Sequence, residues 1–201
     1  LLLAPPFHPS VEIRELVLVV SVAWANSRRG TRATRCGRPS TPSPCRSTAW
    51  PDFVDMVERT LVQTGLPGER LELEITENLL LTDMATASAR IRELNALGVR
   101  MSMDDFGTGY SSFSYLRQLP VQTVKIDRCF VDGIETPGSD AAIVMRSLID
   151  MLHGLGKIVV VEGIETAEQL DLLKRFGCDL AQGFYLSRPV APDEVGAYLR
   201  P

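Results

Sequence analysis

The side chains with chemistry to offer recur at the ends of short apolar runs. Glu74 and Glu77 close the run from Leu71, Asp104 and Asp105 close the run from Val99, and Lys125 and Asp127 lie in and after Thr123 to Ile126. Glu162 and Glu165 follow Ile158 to Val161, and Gln182 follows Leu180-Ala181. Oxygen donors with no histidine or thiolate among them favour a hard divalent cation, Mg²⁺ or Mn²⁺, over zinc. Two such ions about 4 Å apart are the usual arrangement for phosphodiester hydrolysis, one activating water and the other steadying the leaving oxygen.

Each residue also has a plainer reading. Asp104 and Asp105 are adjacent and would point to opposite faces of a regular strand, so they share a site only where the chain turns. Gly107 and Gly109 permit such a turn, and a solvated acidic turn is the alternative. Glu74 alternates with apolar neighbours, which fits either a solvent-facing strand position or the interior of a barrel, where a carboxylate must be paired or metal-bound. Lys125 interrupts an apolar strand and needs a counter-charge, for which Asp105 or Asp127 is the candidate. It forms either a buried salt bridge or a charge that orients a nucleophile.

The elements that would position these groups are legible locally. Pro51-Asp52 opens a helix that closes near Gly65, and Leu71 to Ile75 reads as a strand. Thr82 or Asp83 caps a helix ending at Gly98, followed by a strand from Val99 to Met103. The loop Phe106 to Ser112 leads to a short helix near Leu119, and Thr123 to Ile126 is a third strand. Ser139 to Leu155 is a long amphipathic helix ended by Gly156, and Ile158 to Val161 is a fourth strand. Thr166 caps a helix to Phe176 with Gly177 beyond it, Leu180 to Leu186 is a fifth strand, and Pro192 opens a last helix. Serial strand and helix units predict a parallel α/β fold; in a βα barrel the strands' carboxyl ends meet on one face and bring these side chains together.

Composition sets the outer limits. The chain has 201 residues, 45% hydrophobic, enough for one domain, whereas a full eight-stranded barrel typically takes about 250. A net charge of −4 gives no electrostatic reason to bind DNA or RNA. Cys36, Cys45, Cys129 and Cys178 show no paired spacing, which points to a reducing cytoplasm rather than a disulfide framework. The apolar stretch Leu16 to Ala25 is about half a membrane span, so no membrane contact is expected within this chain. His153 falls late in an amphipathic helix and reads as structural. Residues 1–50 differ from the rest: six arginines between Trp24 and Trp50, with no lysine or acid, predict an atypical segment that is disordered or translated out of frame.

Taken together, Leu-Glu-Ile-Thr-Glu (Leu73 to Glu77), Asp-Asp-Phe-Gly-Thr-Gly-Tyr-Ser-Ser (Asp104 to Ser112), Val-Lys-Ile-Asp-Arg (Val124 to Arg128), Val-Glu-Gly-Ile-Glu-Thr (Val161 to Thr166) and Gln-Gly-Phe-Tyr-Leu-Ser-Arg-Pro (Gln182 to Pro189) closely resemble the EAL-domain family of bacterial cyclic di-GMP phosphodiesterases. The resemblance runs from about Pro51 to Leu199. It implies an incomplete TIM-like (β/α) barrel over residues 51–201, the C-terminal part of an EAL domain. It also implies hydrolysis of cyclic di-GMP to linear pGpG with Mg²⁺ or Mn²⁺. By resemblance Glu74, Asp104, Asp105 and Glu162 are metal ligands, Lys125 positions the attacking water, and Glu165 and Gln182 support the site. Asp127 orients its neighbours, and Glu77 anchors the loop after Asp105, through which a homodimer is implied.

Two family features are missing. No glutamate here is followed by alanine, so the Glu-Ala-Leu signature with its metal-binding glutamate is absent. The Val-x-Val-Asn strand is absent too, since Asn26, Asn78 and Asn95 stand in other contexts. Yet one choice of codons for Pro44 to Trp50, read two bases later, gives Val-Ser-Val-Asn-Gly-Leu. The segment from about Val19 to Trp50 is therefore read as out-of-frame EAL sequence. Three outcomes are open for the chain as written: a metal-dependent phosphodiesterase, a cyclic di-GMP-binding or protein-interaction domain without turnover, or a defective fragment. Little or no hydrolysis is expected of it.

Overall fold

The computed structural model describes residues 18–22, 50–76, 84–108 and 116–188. The strands are β1 (Leu18–Val22), β2 (Leu71–Thr76), β3 (Arg100–Phe106), β4 (Thr123–Ile126), β5 (Ile158–Val161) and β6 (Leu180–Ala181). The helices are α1 (Trp50–Thr64), α2 (Met84–Ala96), α3 (Asp140–Gly154) and α4 (Ala167–Phe176). All neighbouring strands pair in parallel, in the order β1-β2-β3-β4-β5-β6. Among the described residues the sheet is open, with β1 and β6 at its edges. This is the parallel α/β architecture expected from the sequence, an incomplete barrel.

The two faces of the sheet differ in kind. Leu73, Met101 and Ile75, Met103, Val124, Val159 occupy matched register positions, as do Ile126, Val161 and Ala181. All are buried, and they join Ile91 and Leu94 of α2, Met145, Ile149 and Leu152 of α3 and Leu173 of α4 in one core. The opposite face carries Glu72, Glu74, Ser102, Thr123 and Lys125, buried despite their polarity. The period of two along each strand therefore sends apolar side chains to the helices and polar ones to the other face. Truncating a core residue such as Ile149 to alanine is expected to cost about 2–5 kcal/mol.

Local chemistry fixes the helix ends. Ser139 Oγ accepts the Ala142 amide at 3.1 Å and starts α3. Thr166 and Gln169 form a reciprocal capping box at the start of α4, which Gly177 ends in the left-handed region (φ 79°).

Several elements depart from expectation. The segment Leu18–Val22, inside the stretch read as atypical, is a strand paired to β2 from Leu18↔Leu71 to Val22↔Ile75. β3 continues through Asp105 to Phe106 rather than ending at Met103. β6 stops at Ala181, well short of Leu186, because the Gly183 backbone is packed against Ile164 and the chain turns away there. The caps proposed at Thr82 or Asp83, the loop from Gly109 to Ser112 and the last helix from Pro192 lie outside the described residues. Among the described residues no helix is long and apolar enough to cross a membrane.

Candidate active site at the strand carboxyl ends

The carboxyl ends of β2 to β5 bring charges together around one lysine. Lys125, on β4, is 4% exposed, and its Nζ donates to Glu74 Oε1 on β2 at 2.7 Å. The same nitrogen forms ion pairs with Asp104 Oδ1 on β3 at 3.1 Å and with Glu162 Oε1 after β5 at 2.5 Å. Four strands thus contribute to one buried cluster. Neither Asp105 nor Asp127, the counter-charges suggested by the sequence, is within ion-pair distance. Glu74, Asp104 and Glu162 take that role because β4 is flanked by β3 and β5, with β2 one strand further on.

Asp104 and Asp105 are both kept at this end by a backbone irregularity. The β3–β4 register shifts between Met103 and Phe106, and Asp105 has φ 54°, the one positive value among described residues other than glycine. A left-handed residue is costly outside glycine, asparagine and aspartate. Here the Asp105 carbonyl accepts both the Thr108 amide at 3.3 Å and Thr108 Oγ1 at 2.9 Å.

Electrostatics separate the roles. Burial pulls the Lys125 pKa down, but the Glu162 and Glu74 carboxylates outweigh it and lift it above the ordinary lysine value. Glu162 is raised by burial, with Lys125 lowering it and Asp104 and Glu74 opposing. Asp105 is raised by burial and by Asp104 and Asp127, against a lowering by Lys125. Asp127 is lowered despite burial, because its Oδ1 accepts the Cys129 amide at 2.9 Å and caps the 3-10 turn Arg128–Phe130.

The remaining candidates lie as follows. Gln182 follows β6 half-buried, its Oε1 buried and without a hydrogen bond. Glu165 is exposed and outside the lysine cluster, its amide held by Gln169 Oε1 at 2.8 Å. Glu77 lies outside the described residues. One participant escaped the sequence reading: Ser102, fully buried, pairs in register with Glu74 and Thr123 and has an unpartnered hydroxyl. The period-two series Arg100, Ser102, Asp104 was the available signal.

The donors have the right chemistry for a hard divalent cation. Asp104 Oδ1 and Glu162 Oε1 are buried oxygens whose partner is the Lys125 ammonium, and Gln182 Oε1 is a buried acceptor without a hydrogen bond. Their arrangement is that of an ion-pair cluster: among the described residues no three acidic, histidine or cysteine side chains group closely enough to hold an ion unaided. Further oxygen ligands would have to come from elsewhere.

An open parallel βα sheet with an acidic rim built around a lysine defines the class, and sequence comparison supplies the family. The profile described as EAL domain matches residues 12–189. The chain belongs to the EAL domain family. It is 42% identical over 148 residues to the cyclic di-GMP phosphodiesterase NbdA of Pseudomonas aeruginosa, covering 74% of this chain and 19% of that protein. Among solved structures, the EAL domain of Mycobacterium smegmatis DcpA matches with a TM-score of 0.73 at 35% identity, over 91% of this chain and 72% of that one. The PaMucR phosphodiesterase in complex with c-di-GMP matches with a TM-score of 0.66 at 38% identity, over 71% and 57%. The chain spans about a fifth of the length of the curated relatives it matches.

Proposed function

We propose that this chain carries the C-terminal part of a cyclic di-GMP phosphodiesterase site, one that opens a single phosphodiester to give linear pGpG. The observation that supports it best is Lys125, buried among Glu74, Asp104 and Glu162 at the carboxyl ends of a parallel sheet. Glu74, Asp104, Asp105 and Glu162 would hold Mg²⁺ or Mn²⁺, which when bound activates water and steadies the leaving oxygen. With its pKa raised, Lys125 stays an ammonium at neutral pH, so it donates to a bound water or phosphate oxygen and cannot act as a base. Glu162, whose raised pKa makes its carboxylate the more basic, is the proton acceptor beside it. Glu165 and Gln182 support the site, and Asp127 fixes the turn after β4.

The Glu-Ala-Leu glutamate and the Val-x-Val-Asn asparagine are not in the chain, so turnover is slow. Losing two metal ligands costs more than the roughly 10–100-fold of a change behind the ligands. Binding without turnover is the second reading, favoured by Lys125 Nζ, which already neutralises the carboxylates of Glu74, Asp104 and Glu162. The loop after Asp105 is proposed as the homodimer contact and the cytoplasm as the compartment, in line with the family resemblance and the free thiols of Cys129 and Cys178.

Isothermal titration of cyclic di-GMP into the purified chain, with and without Mg²⁺ or Mn²⁺, tests the site; chromatography of pGpG tests the reaction. Binding with slow, metal-dependent pGpG release is expected, both lost in Lys125→Met. Absence of binding and of turnover overturns the proposal. Rapid cleavage abolished by Asp104→Ala overturns the claim that the chain is slow.

A further inference from the structure

The loops at the carboxyl rim close on one another through glycines. A methyl group on Gly107 would stand 2.4 Å from Phe130 Cε2 and 2.6 Å from its Cζ. One on Gly163 would stand 2.3 Å from Arg128 Cβ, and one on Gly183 would stand 2.1 Å from the Ile164 carbonyl oxygen. Each contact joins the segment beyond one strand to the segment beyond the next: β3 to β4, β4 to β5, β5 to β6. The ladder hydrogen bonds continue across the same joints, from the Glu162 amide to Ile126 O at 3.0 Å and from the Ile164 amide to Gln182 O at 3.0 Å.

The first joint is the one that bears on the acidic pair. Asp105 is held in the left-handed region (φ 54°), and Gly107 two residues later has φ 94°. Within the turn, Thr108 ties back to the Asp105 carbonyl. On the outside, the half-buried Phe130 ring lies against the bare Cα of Gly107. Phe130 is itself fixed, since its amide donates to Asp127 O at 3.2 Å within the 3-10 turn that Asp127 caps. The segment that follows Lys125 thereby braces the segment that follows Asp104.

We propose that Phe130 is a positioning residue for the Asp104–Asp105 pair, acting through its ring contact with Gly107. The inference rests on reading this rim as a cyclic di-GMP site, but its first readout does not need the ligand. The Thr108 amide, bonded to the Asp105 carbonyl, reports the turn by hydrogen exchange measured by NMR. In Phe130→Ala its exchange is expected to quicken by about tenfold or more, while the core amides of β4 and β5 keep their rates. Phe130→Leu, which keeps an apolar group over Gly107, is expected to fall between.

A cycle with Gly107→Ala tests the contact itself, because the strain of a side chain at positive φ is common to both backgrounds. Gly107→Ala is expected to disturb Thr108 more when Phe130 is present than when Phe130→Ala has removed the ring. Titration of cyclic di-GMP in the same variants is expected to show affinity that follows Thr108 protection and not the urea midpoint. Unchanged Thr108 exchange in Phe130→Ala, or a uniform rise of all amides, overturns the inference. If no variant and no parent chain binds cyclic di-GMP, the functional reading fails alone, and Thr108 exchange still decides the role of Phe130.

Discussion

Lys125 and Lys157 stand at opposite ends of the same sheet, and their surroundings are opposite in kind. At the carboxyl end the Lys125 ammonium is buried among three carboxylates. At the amino end the half-buried Lys157 ammonium donates to two neutral carbonyls, Leu119 O at 3.1 Å and Val121 O at 2.7 Å. Burial lowers the pKa of Lys157 and nothing charged opposes it, whereas the carboxylates around Lys125 reverse the sign. Carbonyls orient an ammonium without fixing its charge; carboxylates do both. The amino end is accordingly a fastening. Lys157, with the Asn95 amide on Pro120 O at 2.8 Å and Gln122 Oε1 on the Met101 amide at 2.9 Å, pins the turn that leads into β4.

The largest expected difference between the ends comes from deleting the charge. Lys125→Met leaves Glu74, 4% exposed, as a buried carboxylate with its cation removed, beside Asp104 and Glu162. Breaking such a cluster costs about 3–5 kcal/mol, read by urea unfolding at pH 7. Glu162 is already raised by burial with Lys125 opposing, so removing that ammonium raises it further, and part of the loss is expected to return as pH falls toward 5. An unchanged midpoint would mean that the cluster is solvated and the contrast between the two ends is false.

The rim was legible in sequence to the extent that it depended on local patterns. Glu74, Asp104, Lys125 and Glu162 could be assigned to strand ends because apolar runs and helix caps such as Ser139, Thr166 and Gly177 bracket them. What pairs with Lys125 was not legible, because register between strands is set by the sheet and not by neighbours in the chain. Nor was the left-handed Asp105 visible, since aspartate tolerates but does not require that conformation. The strand Leu18–Val22 was hidden by the arginine-rich residues after it, whose composition carries no strand period. β6 was overread because the contact that ends it joins Gly183 to Ile164, nineteen residues earlier.

The rim glycines give the second-largest effect. Gly183→Ala sets a methyl against the Ile164 backbone, which cannot swing aside as a side chain can. A cost at or above the top of the roughly 1–3 kcal/mol range for overpacking is expected, with loss of Gln182 from the site. Gly154→Ala serves as the control, since Gly154, like Gly183, lies outside the left-handed region but has open space around it. If both substitutions cost the same, the contact with Ile164 carries no penalty and the rim joints are not tight.

At the amino end, Lys157→Met is expected to cost about 1–2 kcal/mol through two lost hydrogen bonds, discounted for partial exposure. Its pH signature distinguishes it from Lys125. The folded pKa of Lys157 lies below the unfolded one, so the unfolded state binds more protons between the two and stability from this group rises as pH increases through that window. For Lys125 the folded value lies above the unfolded one; its stabilisation is complete below about pH 10 and is lost as pH rises further. Urea midpoints from pH 8 to 10 should therefore climb less in Lys157→Met than in the parent chain. A steeper climb in the variant would reverse the assignment.

The smallest expected effect lies at the base of β6. His153 Nε2 and Asp179 Oδ2 are 2.8 Å apart, but the two side chains are 35% and 40% exposed. The same oxygen also accepts the Val159 amide at 2.8 Å, so Asp179 ties β6 to β5 whatever the charge on the histidine. A pair this open is screened by solvent, and a double-mutant cycle of His153→Ala and Asp179→Asn should give a coupling below about 1 kcal/mol, shrinking further in 1 M salt. A geometric distance equal to those around Lys125 thus carries a fraction of the energy, because exposure and not separation sets the effective dielectric. A coupling above about 2 kcal/mol would place a second strong electrostatic centre at the amino end, and the division between a chemical rim and a structural base would have to be withdrawn.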